Sequence, residues 1–413
     1  MASHTNAPDR TLNEWYDYIE AERRKGVNWR TRVWWMRQWM YRVGTAERAR
    51  IWWKNAKKES ARHGKLVEDW MGLSRRDQLL QMARLKIKHD IPPEDYYGYR
   101  LYRPDRQQKS GQFLRFNRQV RLIRYLIDSI HPPDDPTGDK RKWHRWAAKH
   151  SVSTPRVLAT FSNGEVTPWG WDGSPESLRS VDLFCKWTNL YRGEGAECWL
   201  YRDGRYEDMA NPNRSLTQEQ LVRHLRAKSK ERPVVMQERI VHHENLKPFT
   251  SGALPTARLI TGRYPAKSPC PIVAAFKMPV GDSMVDNTSA GCNLVAQVDI
   301  ATGELGAAIS AYPNELGDEI HHHPDTGCQI TGAVIPNWKE IVDLAISTHD
   351  LLKDTPFVGW DITLGQKGPI IIEPNNGWGP TGPEKPSGVP LTDTLYQPMY
   401  DAWMQLHVND ARA

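Results

Sequence analysis

The segment Phe357-Val-Gly-Trp-Asp-Ile-Thr-Leu-Gly-Gln-Lys-Gly-Pro-Ile-Ile-Ile-Glu-Pro-Asn375 carries three oxygen donors on two apolar runs joined by a Gly-bounded turn. The pattern predicts a β-hairpin. Glu373 and Asn375 are two residues apart and so share one face of a strand, while Asp361 lies on the partner strand. For Asp361 to stand opposite Glu373, either the five residues Gly365 to Pro369 form the turn or the ladder contains a bulge. Hard oxygen ligands without histidine or thiol favour Mg²⁺, which keeps waters and shares its shell with substrate phosphates. The alternative is a hairpin that ends in ordinary surface acids.

This hairpin resembles the metal-binding end of ATP-grasp ligases, in which an Asp strand precedes an Ile-Glu-x-Asn strand. The resemblance implies that Asp361, Glu373 and Asn375 bind Mg²⁺ between the phosphates of ATP. Other segments match in the family's order over about 139–380, and the likeness is greatest to the sugar-transfer-associated ATP-grasp group. Asp139-Lys140, a helix-like stretch and Lys149-His-Ser-Val-Ser-Thr-Pro155 resemble the family's opening, which suggests Lys140 as a phosphate ligand; otherwise it is a solvated lysine of a basic run. Val181-Asp-Leu-Phe-Cys-Lys-Trp187 resembles the strand that places a lysine, here Lys186, on the phosphates, although the family often has Lys-Pro where this chain has Lys186-Trp187. In the next turn, Gly193, Glu194 and Gly195 have unobstructed amides that could fold over phosphates, as the resemblance implies. Pro233-Val-Val-Met-Gln-Glu-Arg-Ile240 resembles the connector that holds adenine, with Gln237 and the backbone of Glu238 to Ile240 at its edge and Glu244 or Asn245 near the ribose.

Thr256-Ala-Arg258-Leu-Ile-Thr261 and Ala274-Ala-Phe-Lys277-Met278 each place one cation in an apolar strand, where an unpaired charge is costly. Each cation therefore needs an anion, from a buried ion pair or from a substrate. The resemblance assigns Arg258 to the acyl phosphate and the transferred phosphoryl group; Lys277 stands where relatives usually have arginine, so a bidentate grip is lost. Val285-Asp-Asn287 and Gly291-Cys-Asn-Leu294 also resemble site loops of the group. His321-His-His-Pro-Asp-Thr-Gly327 resembles a substrate-side loop; three consecutive histidines cannot all face one ion from regular structure, which argues against zinc. Walker, G-x-S-x-G and Rossmann patterns do not occur.

The elements that must position these residues are short. Strands are expected at 181–187, 197–202, 233–237, 256–263, 271–277, 293–299, 357–364 and 369–373, and helices at 215–229 and 337–353. Gly377 to Pro390 is too rich in Gly and Pro for a regular element and reads as a loop beside the site. Before the turn-forming stretch 131–139, three-to-four-residue periodicity predicts helices from Leu12 to Ile130. The expected division is 1–135 as a basic, Trp-rich helical region, 136–235 as the first ATP-grasp subdomain and 236–413 as the second.

Residues 1–150 hold 33 Lys+Arg against 18 Asp+Glu, and the remainder 23 against 31, so the overall +7 conceals a strongly basic first part. It also holds 10 of the 18 tryptophans, among them Trp34, Trp35, Trp39, Trp52 and Trp53. Such helices either pack their Trp faces on a neighbour or stack on a nucleic acid; packing is the expectation. A hydrophobic share of 39% with 25% charge excludes a disordered or collagen-like chain. The five cysteines lack a C-x-x-C pair and read as reduced thiols. Absence of a long apolar run or a secretory leader points to a cytoplasmic protein without a membrane partner.

The expected fold is therefore α+β, two ATP-grasp subdomains clasping ATP behind a helical region. The expected activity is ATP-dependent joining of a small-molecule or peptide carboxylate to an amine-type nucleophile through an acyl phosphate, with ATP and Mg²⁺. The alternatives are a small-molecule kinase, or binding of nucleic acid or acidic peptide by the helical region.

Overall fold

Helices fill the described part of the chain up to residue 149, and two antiparallel sheets dominate the remainder. The computed structural model describes residues 11–25, 46–130, 135–169, 178, 180–188, 195–281 and 293–410. The helices are α1 (Leu12–Lys25), α2 (Ala46–Met71), α3 (Arg75–His89), α4 (Pro93–Gly98), α5 (Pro104–Gln108), α6 (Arg115–Ile130) and α7 (Lys140–Lys149).

The first sheet contains β1 (Val157–Ser162), β2 (Glu165–Pro168), β3 (Leu183–Trp187), β4 (Glu197–Arg202), β5 (Arg205–Asp208), β6 (Asn211–Leu216) and β7 (Val234–Glu238), with α8 (Gln218–Lys228) between the last two. Its spatial order is β2-β1-β7-β3-β4-β5-β6. Strand β7 runs through position 235/236, so it lies whole within this sheet. α8 starts at a reciprocal capping box, in which Thr217 Oγ1 accepts from the Gln220 N–H and Gln220 Oε1 accepts from the Thr217 N–H. The helix buries Leu221, Val222 and Leu225 against Leu183, Cys185, Trp199 and Met236. Strand alternation then turns Phe184 and Lys186 to the opposite face, where Phe184 pairs with Gln237 of β7.

The second sheet is built from β8 (Thr256–Gly262), β9 (Cys270–Met278), β10 (Leu294–Val298), β11 (Leu305–Ser310), β12 (Phe357–Gly365) and β13 (Gly368–Asn375), in the order β11-β10-β9-β8-β12-β13. Helix α9 (Trp338–Leu351) precedes β12, and α10 (Thr381–Ser387) and α11 (Tyr396–Asp410) follow β13. Strand β12 is buried along its whole length because both faces of the sheet are covered. On one face, Val358, Trp360, Ile362 and Leu364 meet Trp143 and Ala147 of α7 and Ile341 and Ala345 of α9. On the other, Phe357, Ile260 and Ile272 meet Trp15 and Ile19 of α1, Leu122, Ile123 and Leu126 of α6, and Tyr396, Tyr400 and Trp403 of α11. These helix positions recur at three- and four-residue intervals, the spacing that lines one side of a helix. The second face changes from apolar to charged at Asp361, which is itself buried.

Gly377–Pro390 is not wholly irregular as expected: it contains α10, which lies across β9, β10 and β11. Tertiary contacts supply what its composition lacks. Arg106 Nη1 and Nη2 bond the carbonyls of Lys385 and Pro386 at the end of the helix, and Glu384 accepts the N–H groups of Leu114 and Leu391. β1, β2, β5, β6 and β11 also lie outside the strands expected from sequence.

The tryptophans divide. Trp15 is buried and its Nε1 donates to Asp401 Oδ1 at 2.7 Å. Trp52 packs on a core of Ala56, Tyr96, Tyr97 and Tyr102, whereas Trp53 is 42% exposed and stacks on Trp52. Trp34, Trp35 and Trp39 lie outside the described residues. Among the described residues, Cys185, Cys198, Cys270 and Cys328 are free thiols, and no helix is long and apolar enough to cross a membrane.

Candidate active site

In the hairpin β12–β13 Asp361 does stand opposite Glu373, through a bulge. Gly365 pairs with Gly368 across a tight turn and Ile362 with Ile371, yet Asp361 pairs with Glu373 because the ladder shifts by one residue between Asp361 and Ile362. Gly359 follows on the same face opposite Asn375. A side chain at Gly359 would put its Cβ 2.6 Å from Trp378 Cβ, so glycine lets the chain beyond Asn375 fold back over the strand.

Arg258 on β8 stands directly opposite Asp361 on its other side, and Lys277 on β9 lies on this face two residues beyond Ala275, the partner of Arg258. Lys277, Arg258, Asp361 and Glu373 thus come from four neighbouring strands. Arg258 Nε donates to Asp361 Oδ1 at 2.7 Å and Arg258 Nη2 to Oδ2 at 2.6 Å, the planar two-point grip that a guanidinium makes on a carboxylate. Lys277 Nζ donates to Asp361 Oδ1 at 2.8 Å, and Asn375 Nδ2 approaches Oδ2 at 3.4 Å. Burial pushes the Asp361 carboxyl up, but the charges of Arg258 and Lys277 outweigh it and hold the group well below the usual carboxylate range. The anion that the two strand cations require is thus, in this structure, Asp361.

The donors Asp361, Glu373 and Asn375 are all oxygens, a set that fits a hard cation such as Mg²⁺. Two carboxylates and one carboxamide would leave part of such an ion's shell to water and phosphate. Among the described residues, no three His, Cys, Asp or Glu side chains form a metal cluster. His321 Nδ1 meets Thr331 Oγ1, and His323 is buried with Nε2 on the Pro279 carbonyl and Nδ1 accepting the Asp325 N–H. That pairing fixes His323 as a neutral tautomer, consistent with burial lowering its basicity. Asp325 accepts from Ser251 Oγ and the Gly281 N–H, both at 2.7 Å, and Thr326 Oγ1 donates to Pro248 O. The His321–Gly327 segment therefore ties together chain segments around 248–251 and 279–281.

In the first sheet, Lys186 and Gln237 share the face turned away from α8, and Gln237 is buried with Oε1 unbonded. Glu238 donates its N–H to Arg156 O, and Arg239 reaches Asp182 through both backbone and side chain. Ile240 is half-buried, and Asn245 is exposed on a short 3₁₀ turn (Glu244–Phe249), its N–H on His243 Nδ1. The connector then meets the hairpin: His243 N–H donates to Leu364 O at 2.8 Å. Lys140 begins α7 close to the site, since a Cβ on Gly138 would lie 2.9 Å from Asn376 Nδ2, but its side chain is outside the described set. Gly193, Glu194 and residues 282–292, which include the Val285–Asn287 candidates, also lie outside it.

Sequence reasoning missed the side chains around Gly195. Glu197 accepts Lys228 Nζ at 2.6 Å, His224 Nε2 at 3.0 Å and Trp199 Nε1 at 3.2 Å; burial opposes its ionisation, but His224 and Lys228 lower it to about 2. No local spacing announces Lys228. It reads only as one more cation in the last turn of a helix.

The fold resembles the ATP-grasp ligase PsnB complexed with minimal precursor, Mg and ADP, at 14% identity, covering 66% of this chain and 59% of that chain with a TM-score of 0.33. D-alanine–D-alanine ligase from Bacillus anthracis is 12% identical over 74% of this chain and 71% of that chain, with a TM-score of 0.32. L-amino acid ligase from Bacillus licheniformis is 13% identical over 66% of this chain and 52% of that chain, with a TM-score of 0.35. The chain thus spans about three fifths of the length of PsnB. No curated protein matches it. Residues 136–397, more than half of the sequence and all of both sheets, match the sugar-transfer associated ATP-grasp family, to which this chain therefore belongs.

Proposed function

We propose that the protein is an ATP-dependent ligase that activates a carboxylate as an acyl phosphate and passes the acyl group to an amine-type nucleophile. The observation that carries this reading is the row Lys277, Arg258, Asp361 and Glu373 across four adjacent strands of an ATP-grasp chain. In the first step a carboxylate oxygen attacks the γ-phosphorus and ADP leaves. In the second, the nucleophile attacks the acyl carbon and phosphate leaves with the bond electrons, while the amine loses a proton. The chain contributes positioning and charge. Lys186, and Lys140 beside it in role, hold phosphates; Gln237 and the Glu238–Ile240 backbone hold adenine, with the Ile240 N–H as the donor because those of Glu238 and Arg239 are given to Arg156 O and Asp182 O; Asn245 lies towards the ribose. Arg258 and Lys277 face the oxygens on which charge develops, each able to exchange its bond to Asp361 for one to a substrate anion. Glu373, Asn375 and Asp361 are the Mg²⁺ donors, and the bound ion supplies charge neutralisation at the phosphates.

Screening acid and amine pairs for ADP and phosphate release, with hydroxylamine present to trap an acyl phosphate as a hydroxamate, tests the reading. Hydroxamate formation supports the ligase. A stable phosphorylated product with no phosphate released shows a kinase instead.

A further inference from the structure

Gly195, the first described residue before β4, is held from behind. Gly195 has φ +70°, and a Cβ there would lie 2.3 Å from the Trp187 ring, so the residue is confined to glycine by conformation and by space. Trp187 belongs to the α8 face of the sheet, with Leu183 and Cys185. From the last position of α8, Lys228 Nζ donates to the Gly195 carbonyl at 2.7 Å and to Glu197 Oε1 at 2.6 Å, and stands 5.2 Å from the Trp187 ring centroid. The Lys228 side chain is only 9% exposed, and Glu197 supplies the counter-charge that such a position requires. A trans peptide points its C=O and N–H in opposite directions. With the Gly195 carbonyl turned to Lys228 and α8, the Ala196 N–H turns towards the other face, the one that carries Lys186 and Gln237.

We infer that Lys228 is a positioning residue of the nucleotide site, fixing the Gly195–Ala196 peptide so that its N–H faces the phosphates held by Lys186, with Trp187 as the plate behind it. The inference rests on the ATP reading above, and it makes Lys228 selective for the phosphate chain over the adenosine.

The test compares magnesium-AMPPNP with AMP, by calorimetry on the full chain. Lys228→Met is expected to weaken AMPPNP about tenfold, the loss of one oriented bond to a charged group, and to leave AMP unchanged. Lys228→Arg, which can still donate to both oxygens, restores AMPPNP binding. Because Lys228→Met leaves Glu197 short of a partner, Lys228→Met/Glu197→Gln removes both charges and should give the same selective loss in a folded protein. Equal weakening of both nucleotides, or of neither, overturns the inference. A wild-type protein that binds neither nucleotide overturns the ATP reading itself, and this inference with it.

Discussion

Asp361 and Glu373 are both acids of one candidate site, but their surroundings differ and so do the expected consequences of neutralising them. Asp361 is the counter-charge for two cations that are each less than one-fifth exposed. Asp361→Asn should therefore both stop ATP turnover and cost about 3 kcal/mol of stability, the scale for breaking a largely buried ion pair by removing one partner. Glu373 lies nearer the open edge, on the last strand of the sheet, and Glu373→Gln should lower turnover at least a hundredfold, on the order of losing one transition-state charge contact, while leaving the melting temperature within a few degrees. Denaturation curves beside ADP-release assays separate the two; wild-type turnover in a folded Glu373→Gln protein would remove Glu373 from the site. Lys186→Ala should raise the KM for ATP about tenfold. An unchanged KM returns Lys186 to a structural role. The types and spacing of Asp361, Glu373 and Asn375 are legible in sequence because a two-residue period fixes which side chains share a face. The grip of Arg258 and Lys277 on Asp361 is not, because it depends on which strands become neighbours.

At the scale of elements, the hairpin shows how far local pattern reaches. The sequence shows what a pairing of Asp361 with Glu373 would demand, a long turn or a bulge; that they do pair, and through a bulge, needed the structure. Strands such as Asn211-Pro-Asn-Arg-Ser-Leu216 carry little apolar alternation and are strands because β5 pairs with them. Helix α10 is a stronger case, since Gly382, Pro383 and Pro386 disfavour it locally. It is pinned by Glu384, fully buried, whose carboxylate oxygens take the N–H groups of Leu114 and Leu391 and the Tyr99 hydroxyl. Burial pushes Glu384 up to about 7, against the opposing pull of those N–H donors. A folded-state value above the unfolded one means that the neutral acid is preferred in the folded protein. The stabilisation is complete below about 4.5 and is lost as pH rises through 7. Raising pH from 5 to 8 should thus cost on the order of 3 kcal/mol through this group. Glu384→Gln keeps an acceptor for the two N–H groups and offers its amide to the Tyr99 oxygen, so the variant should lose less stability than wild type over that range. Urea denaturation at the two pH values reads the difference, and parallel losses would place the pH dependence elsewhere.

At the scale of the molecule, the helical region and the second sheet share one core. Trp15 and Ile19 of α1 and Leu122, Ile123 and Leu126 of α6 cover Ile260, Ile272 and Phe357, and α11, from the end of the described chain, closes the same layer. Polar contacts add to it: Arg100, fully buried, bonds Ser310 O and Asp318, and Lys109 pairs with Asp393. Among the described residues the basic charge is largely an outer face, as on α2 and α3, where Lys54, Lys57, Arg75, Arg76 and Arg84 are exposed. Binding of generic RNA or DNA should accordingly be weak and fall steeply between low and physiological salt, since it draws only on counterion release. Deletion of residues 1–130 is a sharper trial of the shared core. It strips α1 and α6 from a sheet face rich in large apolar and aromatic side chains, the kind of contiguous patch that drives association. It also removes Arg106 and the Leu114 N–H from α10, which comes directly after the candidate metal ligands. The 131–413 fragment should therefore aggregate and lack ATP turnover, as read by light scattering and ADP release. A soluble, folded fragment with full turnover would mean that the helices form a separable partner-binding module, and that the apolar contacts of α1 and α6 contribute little to the second sheet.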